Sequence, residues 1–174
     1  MNQIELIKYQ TKDAYNWVNK IVEDIPFELW YKIPDQLDTH VSWQVGHLLL
    51  SFNFHTIMVI RGHQNDLYQK FPIQLYARLF IKSAPRDSVD QIDPKALLQH
   101  LKIVQEKSLE IISTLSDDEL YDALEPTDVP HPLAKNKLEA LDWNIKHTMW
   151  HCGQLGILKR MVDQRIDFGL KDRS

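Results

Sequence analysis

The feature that most constrains the fold is a long segment without a single charged side chain. Between Asp38 and Arg61 the sequence contains no Asp, Glu, Lys or Arg. A helix without charge on any side is a central one that is buried all round. The part from Val45 to Ile60 is too short and too polar to be a good membrane span. The segment therefore predicts a central helix from about Ser42 to Arg61, with Gly62 as its stop.

Three further long helices are predicted by apolar residues that recur at helical spacing. The first runs from about Gln3 to Glu23. The next starts with Asp93 as N-cap and Pro94 in its first turn. The last starts near Asn136, with Glu139 as its capping partner, and continues to about Asp163.

The connections between these helices carry shorter helical signals. One covers Leu75 to Lys82, and a second follows the capping-box spacing that begins at Ser116. Strand signals are nearly absent from the sequence. We therefore expect an all-α chain with a single domain over residues 1–174, built as a four-helix bundle with short extra helical segments in the connections.

Composition and charge narrow the function classes. With 44% hydrophobic and 25% charged residues, the chain has the composition of a folded domain. Its net charge of −4 argues against general nucleic-acid binding, which usually needs a basic face. Cys152 is the only cysteine, which excludes an internal disulfide and fits a reducing cytoplasm. The first residues do not resemble a signal peptide. We therefore expect a cytoplasmic protein that binds neither nucleic acid nor membranes.

The strongest chemical signal is a pair of histidines on the last helix. His147 and His151 are four residues apart, so both imidazoles leave one face of the helix about one turn apart and can chelate one transition metal. His47 lies on the charge-free helix. Helical geometry places all three in apolar, tryptophan-rich stripes that should face the bundle interior. The spacing leaves two interpretations open: a three-histidine metal site, or core histidines satisfied by hydrogen bonds.

Neighbouring side chains complete the candidate site. Trp43 and Trp150 are expected to wall a substrate pocket, and Gln154 lies one turn beyond the histidine pair, placed to orient a ligand or substrate. His55 is a weaker candidate for a metal ligand, because it lies about 80° round its helix from His47. His131 is in a predicted loop that could overhang the mouth of the site.

Two motifs carry a family resemblance. They are Ser42-Trp43-Gln44-Val45-Gly46-His47-Leu48-Leu49 and His147-x-x-x-His151-x-Gly153-Gln154-Leu155. Together with the segment from His131 to Lys135, they resemble the DinB-like (YfiT-like) superfamily over essentially the whole chain. The resemblance implies a four-helix bundle with an unusual chain topology. It also implies a divalent transition metal, Ni or Zn by expectation, held by His47, His147 and His151.

The resemblance also suggests chemistry. Characterised relatives include thiol transferases that join bacillithiol, mycothiol or glutathione to electrophiles. Three neutral ligands leave coordination positions open, which is typical of a catalytic rather than a structural metal site. We therefore expect a metal-dependent transferase that acts with a low-molecular-weight thiol, or a metal-dependent hydrolase with a small substrate. The alternative is a non-catalytic, metal-binding or dimeric helical-bundle protein of this DNA-damage-inducible family.

Overall fold

The chain folds into helices, as the computed structural model shows for residues 1–167. The α-helices are α1 (Gln3–Glu23), α2 (Val41–Phe52), α3 (Val59–Arg61), α4 (Asn65–Tyr68), α5 (Ile73–Ala77), α6 (Pro94–Ser113) and α7 (Lys137–Val162). Two π-helical segments, Asn53–Met58 and Arg78–Lys82, and three short 3-10 turns, Phe27–Leu29, Pro85–Ser88 and Asp118–Tyr121, complete the helical structure. Over the described range there is no β-strand, so the predicted all-α class is confirmed.

The four long helical stretches pack in an order that differs from their order in the chain. Helix α1 packs against α6 and α7, and α2 packs against the same two helices. The order around the bundle is therefore α1, α7, α2, α6. Helices α1 and α2 lie at opposite corners, although they follow one another among the long helices. In a simple up-and-down bundle such helices would be neighbours.

Helices α6 and α7 begin at the capping residues that the sequence predicts. The carboxylate of Asp93 accepts a hydrogen bond from a backbone N–H in the first turn of α6. The side chain of Asn136 accepts one from the Glu139 N–H at 2.9 Å at the start of α7. Each cap satisfies one of the backbone donors that a helix leaves unpaired at its N-terminus.

The charge-free helix was predicted as one continuous α-helix, and this is wrong in one respect. The α-helical pattern of α2 ends at Phe52 and gives way to a π-helical segment over Asn53–Met58 before α3 completes the stretch. A π-helical insertion changes the angle at which later residues leave the helix, and such insertions are frequent at functional sites. Side chains after Phe52 therefore do not point where a regular 3.6-residue period places them. The helix ends at Gly62, as predicted, with a φ of 75°.

Gly46 allows the segment Arg78–Lys82 to lie directly on α2. A Cβ atom at this position would come within 2.2 Å of the Phe80 ring. Phe80 is completely buried. The absence of a side chain at Gly46 is thus the reason why the Phe80 ring and backbone can approach the helix that carries His47.

A buried lysine ties the end of α7 to the end of α1. Lys159 has no exposed surface. Its Nζ atom lies 3.0 Å from the Asp24 carbonyl oxygen and 2.6 Å from the Asp163 carboxylate. A buried ammonium group is tolerated when it is paired in this way. None of the helices in the described part of the chain has the length and apolarity to cross a membrane.

Candidate metal centre

Three histidines from two adjacent helices meet on one side of the bundle. Each of His47, His147 and His151 offers a ring nitrogen, and these three atoms lie within 4.8 Å of one another. The Nε2 atoms of His147 and His151 are 3.1 Å apart. His151 is buried, whereas the other two rings are half-buried. The cluster therefore has a buried side and a side that solvent can reach.

A backbone carbonyl sets the protonation of His47. Its Nδ1 atom lies 3.2 Å from the carbonyl oxygen of Phe80. A carbonyl oxygen can only accept, so Nδ1 carries the proton and donates it. The other ring nitrogen of neutral His47, Nε2, is left with a free lone pair.

A glutamine amide sets the protonation of His151 in the same way. The Gln44 Nε2 atom donates to Thr39 Oγ1 at 3.1 Å and to Gln154 Oε1 at 2.9 Å. The Gln44 Oε1 atom is therefore the acceptor end of the amide, and it hydrogen-bonds to Nδ1 of His151. His151 thus donates from Nδ1 and keeps a lone pair on Nε2, which lies 3.1 Å from Nε2 of His147. Outer partners of this kind fix the tautomer and ring orientation of metal-binding histidines.

Burial keeps the three imidazoles neutral. Burial, together with the nearby His47, lowers the pKa of His147 to about 4. Burial and the two neighbouring imidazoles lower the pKa of His151 to about 3. Burial also lowers the pKa of His47. At neutral pH all three rings are therefore neutral imidazoles, which is the form that a metal ion requires.

The geometry of the cluster fits a divalent transition metal. Two imidazole nitrogens bound at about 2.0–2.1 Å, with an angle of roughly 90–110° at the metal, are about 3 Å apart. The 3.1 Å between the Nε2 atoms of His147 and His151 matches this separation. The Nδ1 atom of His147 is buried and has no hydrogen-bond partner in the described structure. Within residues 1–167, the group of side chains that could hold a metal here contains three histidines and no carboxylate.

The predicted pocket residues have different positions around the cluster. Trp43 stacks on His47, with ring centroids 5.1 Å apart and an interplanar angle of 9°. Gln154 is exposed and reaches the cluster only through Gln44. The expectation that Trp150 faces the bundle interior was wrong, because its side chain is 67% exposed. It lies at the surface, perpendicular to the ring of Trp143 at 6.0 Å.

Two further histidines approach the cluster. His55, which follows the start of the π-helical segment, has its ring centroid 5.8 Å from that of His147. The His55 Nδ1 atom lies 2.8 Å from Nε2 of His131, whose ring stacks on Phe54. His131 does hang beside the site, but its contact with His55 could not be foreseen from the sequence.

Gln44 and Phe80 are site residues that sequence reasoning missed. Gln44 carried a usable signal, since a buried amide in a charge-free helix needs polar partners and lies within one turn of His47. Phe80 carried none, because it acts through its backbone carbonyl.

Cys152 is buried next to His151, and burial raises the pKa of its thiol to about 12. The thiol therefore stays protonated at neutral pH and is not a nucleophile. Any thiol that reacts at this site must come from a substrate.

Comparisons with known proteins identify the family of the chain and a solved structure with a similar fold. A family model described as the DinB superfamily matches residues 10–155. The fold is similar to a crystal structure of the "conserved protein of locus from Enterococcus faecalis", with a TM-score of 0.69 and 14% sequence identity over 93% of this chain and 98% of that chain. A search of curated proteins finds no significant match.

Proposed function

Since this chain belongs to the DinB superfamily, we propose that it binds one divalent transition metal, Ni or Zn, through His47, His147 and His151. The observation that carries the proposal is the pair of hydrogen bonds that the Nδ1 atoms of His47 and His151 make to residues outside the cluster. The Phe80 carbonyl and the Gln44 amide each hold an Nδ1 proton, and so leave the Nε2 lone pairs of His47 and His151 for a metal. The hydrogen-bond partner of the His151 Nε2 atom is His147, itself a proposed ligand, so a bound metal would replace a contact inside the cluster.

We further propose that the site is catalytic and acts on a small thiol or on water. A metal held by three neutral ligands lowers the pKa of a bound thiol or water and keeps positions open for it. The half-buried rings of His47 and His147 leave a side of the cluster within reach of a small molecule. The ring of Trp43 stacks on His47 and would form one wall of the substrate pocket.

The favoured reaction is transfer of a low-molecular-weight thiol to an electrophile. The thiol loses its proton to solvent, its sulfur forms a bond to the electrophilic carbon, and the leaving group departs with the electron pair of the broken bond. Trp143 and the exposed Trp150 offer an aromatic surface for an apolar electrophile. A metal-dependent hydrolase, with water in place of the thiol, uses the same site.

A non-catalytic bundle that dimerises through α7 is the second candidate. Met149, Trp150 and Ile157 are 45%, 67% and 54% exposed, which leaves an apolar surface on this helix. Sedimentation equilibrium tests this candidate, because a dimer that persists without metal and without activity would favour it.

Metal binding is tested by elemental analysis of protein purified without an affinity tag or added metal. We expect about one equivalent of metal in the wild type and its loss in His147→Ala. His100→Ala is the matched control, because His100 bonds to the Tyr76 hydroxyl outside the cluster. Full occupancy in a variant with all three ligand histidines replaced would refute the site.

Activity is tested with bacillithiol, mycothiol, glutathione and cysteine, each against monochlorobimane. We expect the metal-loaded wild type to accelerate the reaction with at least one thiol, and His151→Ala to lose the acceleration. Equal rates in both proteins across the panel would remove thiol transfer and leave the hydrolase or the non-catalytic bundle.

A further inference from the structure

The backbone fixes the tautomer of His131. Its Nδ1 atom accepts hydrogen bonds from the N–H groups of Leu133 at 3.2 Å and Ala134 at 2.8 Å. Backbone N–H groups can only donate, so this Nδ1 atom carries no proton. An imidazole keeps at least one proton on its ring, and the proton of His131 is therefore on Nε2.

This tautomer in turn fixes the tautomer of His55. The protonated Nε2 of His131 donates to Nδ1 of His55 at 2.8 Å. The Nδ1 atom of His55 is thus an acceptor, and its own ring proton is on Nε2. This assignment follows from the chain of donors and acceptors alone.

The Nε2–H group of His55 is a donor left over beside the histidine cluster. His55 is 7% exposed and its ring is edge-on to that of His147. The only hydrogen bond of its ring to a described residue is the one to His131. Because Nε2 is protonated, it offers no lone pair to a metal ion while the bond to His131 holds. This explains why His55 lies against the cluster without joining it.

We propose that His55 donates a hydrogen bond from Nε2 to a small anionic ligand, such as a thiolate or hydroxide, bound at the open side of the metal site. His131 acts as the positioning residue that keeps the proton on that nitrogen. The inference rests on the proposed metal binding, and it adds a hydrogen-bond donor whose protonation is set by the loop before α7. A neutral N–H donor stabilises a bound anion more than it stabilises the neutral thiol or water.

The tautomer is tested first, in metal-free protein, by long-range ¹H–¹⁵N NMR of the imidazole rings. We expect both His55 and His131 to carry their proton on Nε2. Protonation of His55 on Nδ1 in the wild type would overturn the proposal. His131→Phe keeps a ring to stack on Phe54 but removes the donor, and should allow His55 to populate the other tautomer.

Ligand binding is tested with azide added to Co²⁺-loaded protein, followed by the visible absorption of the cobalt. We expect azide to bind His55→Phe roughly tenfold or more weakly than the wild type, because one hydrogen bond to a charged group is lost. His131→Phe should weaken azide in the same direction. His63→Phe, at an exposed position outside the cluster, should bind azide like the wild type.

Cobalt content is measured in every sample, so that the two proposals fail separately. Absence of cobalt from the wild type would refute the metal site itself, and the inference with it. Full cobalt content with equal azide affinity in the wild type, His55→Phe and His131→Phe would overturn the inference and leave the metal site intact. If His55→Phe does not fold, the His131→Phe result decides.

Discussion

Replacing Gly46 by alanine should destabilise the protein, although alanine is the better helix former. The new Cβ atom would lie 2.2–2.4 Å from three atoms of the Phe80 ring, whereas carbon atoms pack at about 3.5–4.0 Å. The ring would have to move by more than about 1 Å, and it is completely buried. Overpacking of a core costs about 1–3 kcal/mol.

The size of the effect follows from two opposing contributions. Helix propensity favours alanine over glycine by about 1 kcal/mol. The overlap with Phe80 is severe, so we take the upper value of the overpacking cost, about 3 kcal/mol. The free energy of unfolding should therefore fall by about 2 kcal/mol. In a chain of this size that corresponds to a fall in Tm of about 4–8 °C. Gly156→Ala is the matched control on α7, because nothing lies within 4 Å of its added Cβ. It should raise Tm by about 2–4 °C.

Thermal unfolding of the chelator-treated proteins, followed by circular dichroism, measures both changes. A second readout is metal affinity, determined by competition with a chelator. Displacement of Phe80 moves the carbonyl that holds His47, so Gly46→Ala should bind metal about 10–100-fold more weakly. A Tm for Gly46→Ala equal to or above that of the wild type would show that Phe80 does not require the missing side chain.

Three other outcomes are expected. Chelation should leave the helical circular dichroism unchanged and lower Tm, since the core suffices for folding and bound metal adds stability by mass action; complete unfolding on chelation would contradict this. In metal-free protein the free energy of unfolding should fall as pH drops from about 6.5 to about 4. Burial lowers the pKa of His147 to about 4 and that of His151 to about 3. In this pH range the unfolded chain therefore binds protons at these two histidines that the folded chain does not bind. His151→Gln should flatten that dependence, and an unchanged pH profile would count against the buried neutral rings. Lys159→Met should cost about 1–2 kcal/mol in urea unfolding, because it removes the charged hydrogen bonds to Asp24 and Asp163; a stability equal to the wild type would mean that these bonds contribute nothing.

The parts of the fold that follow from local rules were predictable. The limits of α1 and the caps at Asp93 and Asn136 depend on residues close in sequence, and the structure confirms them. The all-α class followed from helical periodicity and the lack of strand signals. The pairing of His147 with His151 on one face needs only the 3.6-residue period.

The parts that depend on packing between distant segments were not predictable from periodicity. The π-helical segment changes the direction of His55, and a 100°-per-residue wheel cannot show it. Trp150 lies on the predicted inward stripe but is exposed, because no other described element covers that part of α7. The outer hydrogen bonds of the histidines depend on a backbone carbonyl at Phe80 and on Gln44, neither of which has a distinctive spacing.

The corner-to-corner placement of successive long helices imposes an order on assembly. During synthesis α1 and α2 emerge first, but each has its main packing partners in α6 and α7. The early half of the chain therefore cannot form a stable hairpin of its own, and the bundle depends on contacts between residues far apart in sequence, which slow folding. Since α7 supplies two of the three histidines, a partly synthesised chain holds only His47. The proposed metal site would then form only when the last helix packs into the bundle, and metal would bind only to the completely folded chain.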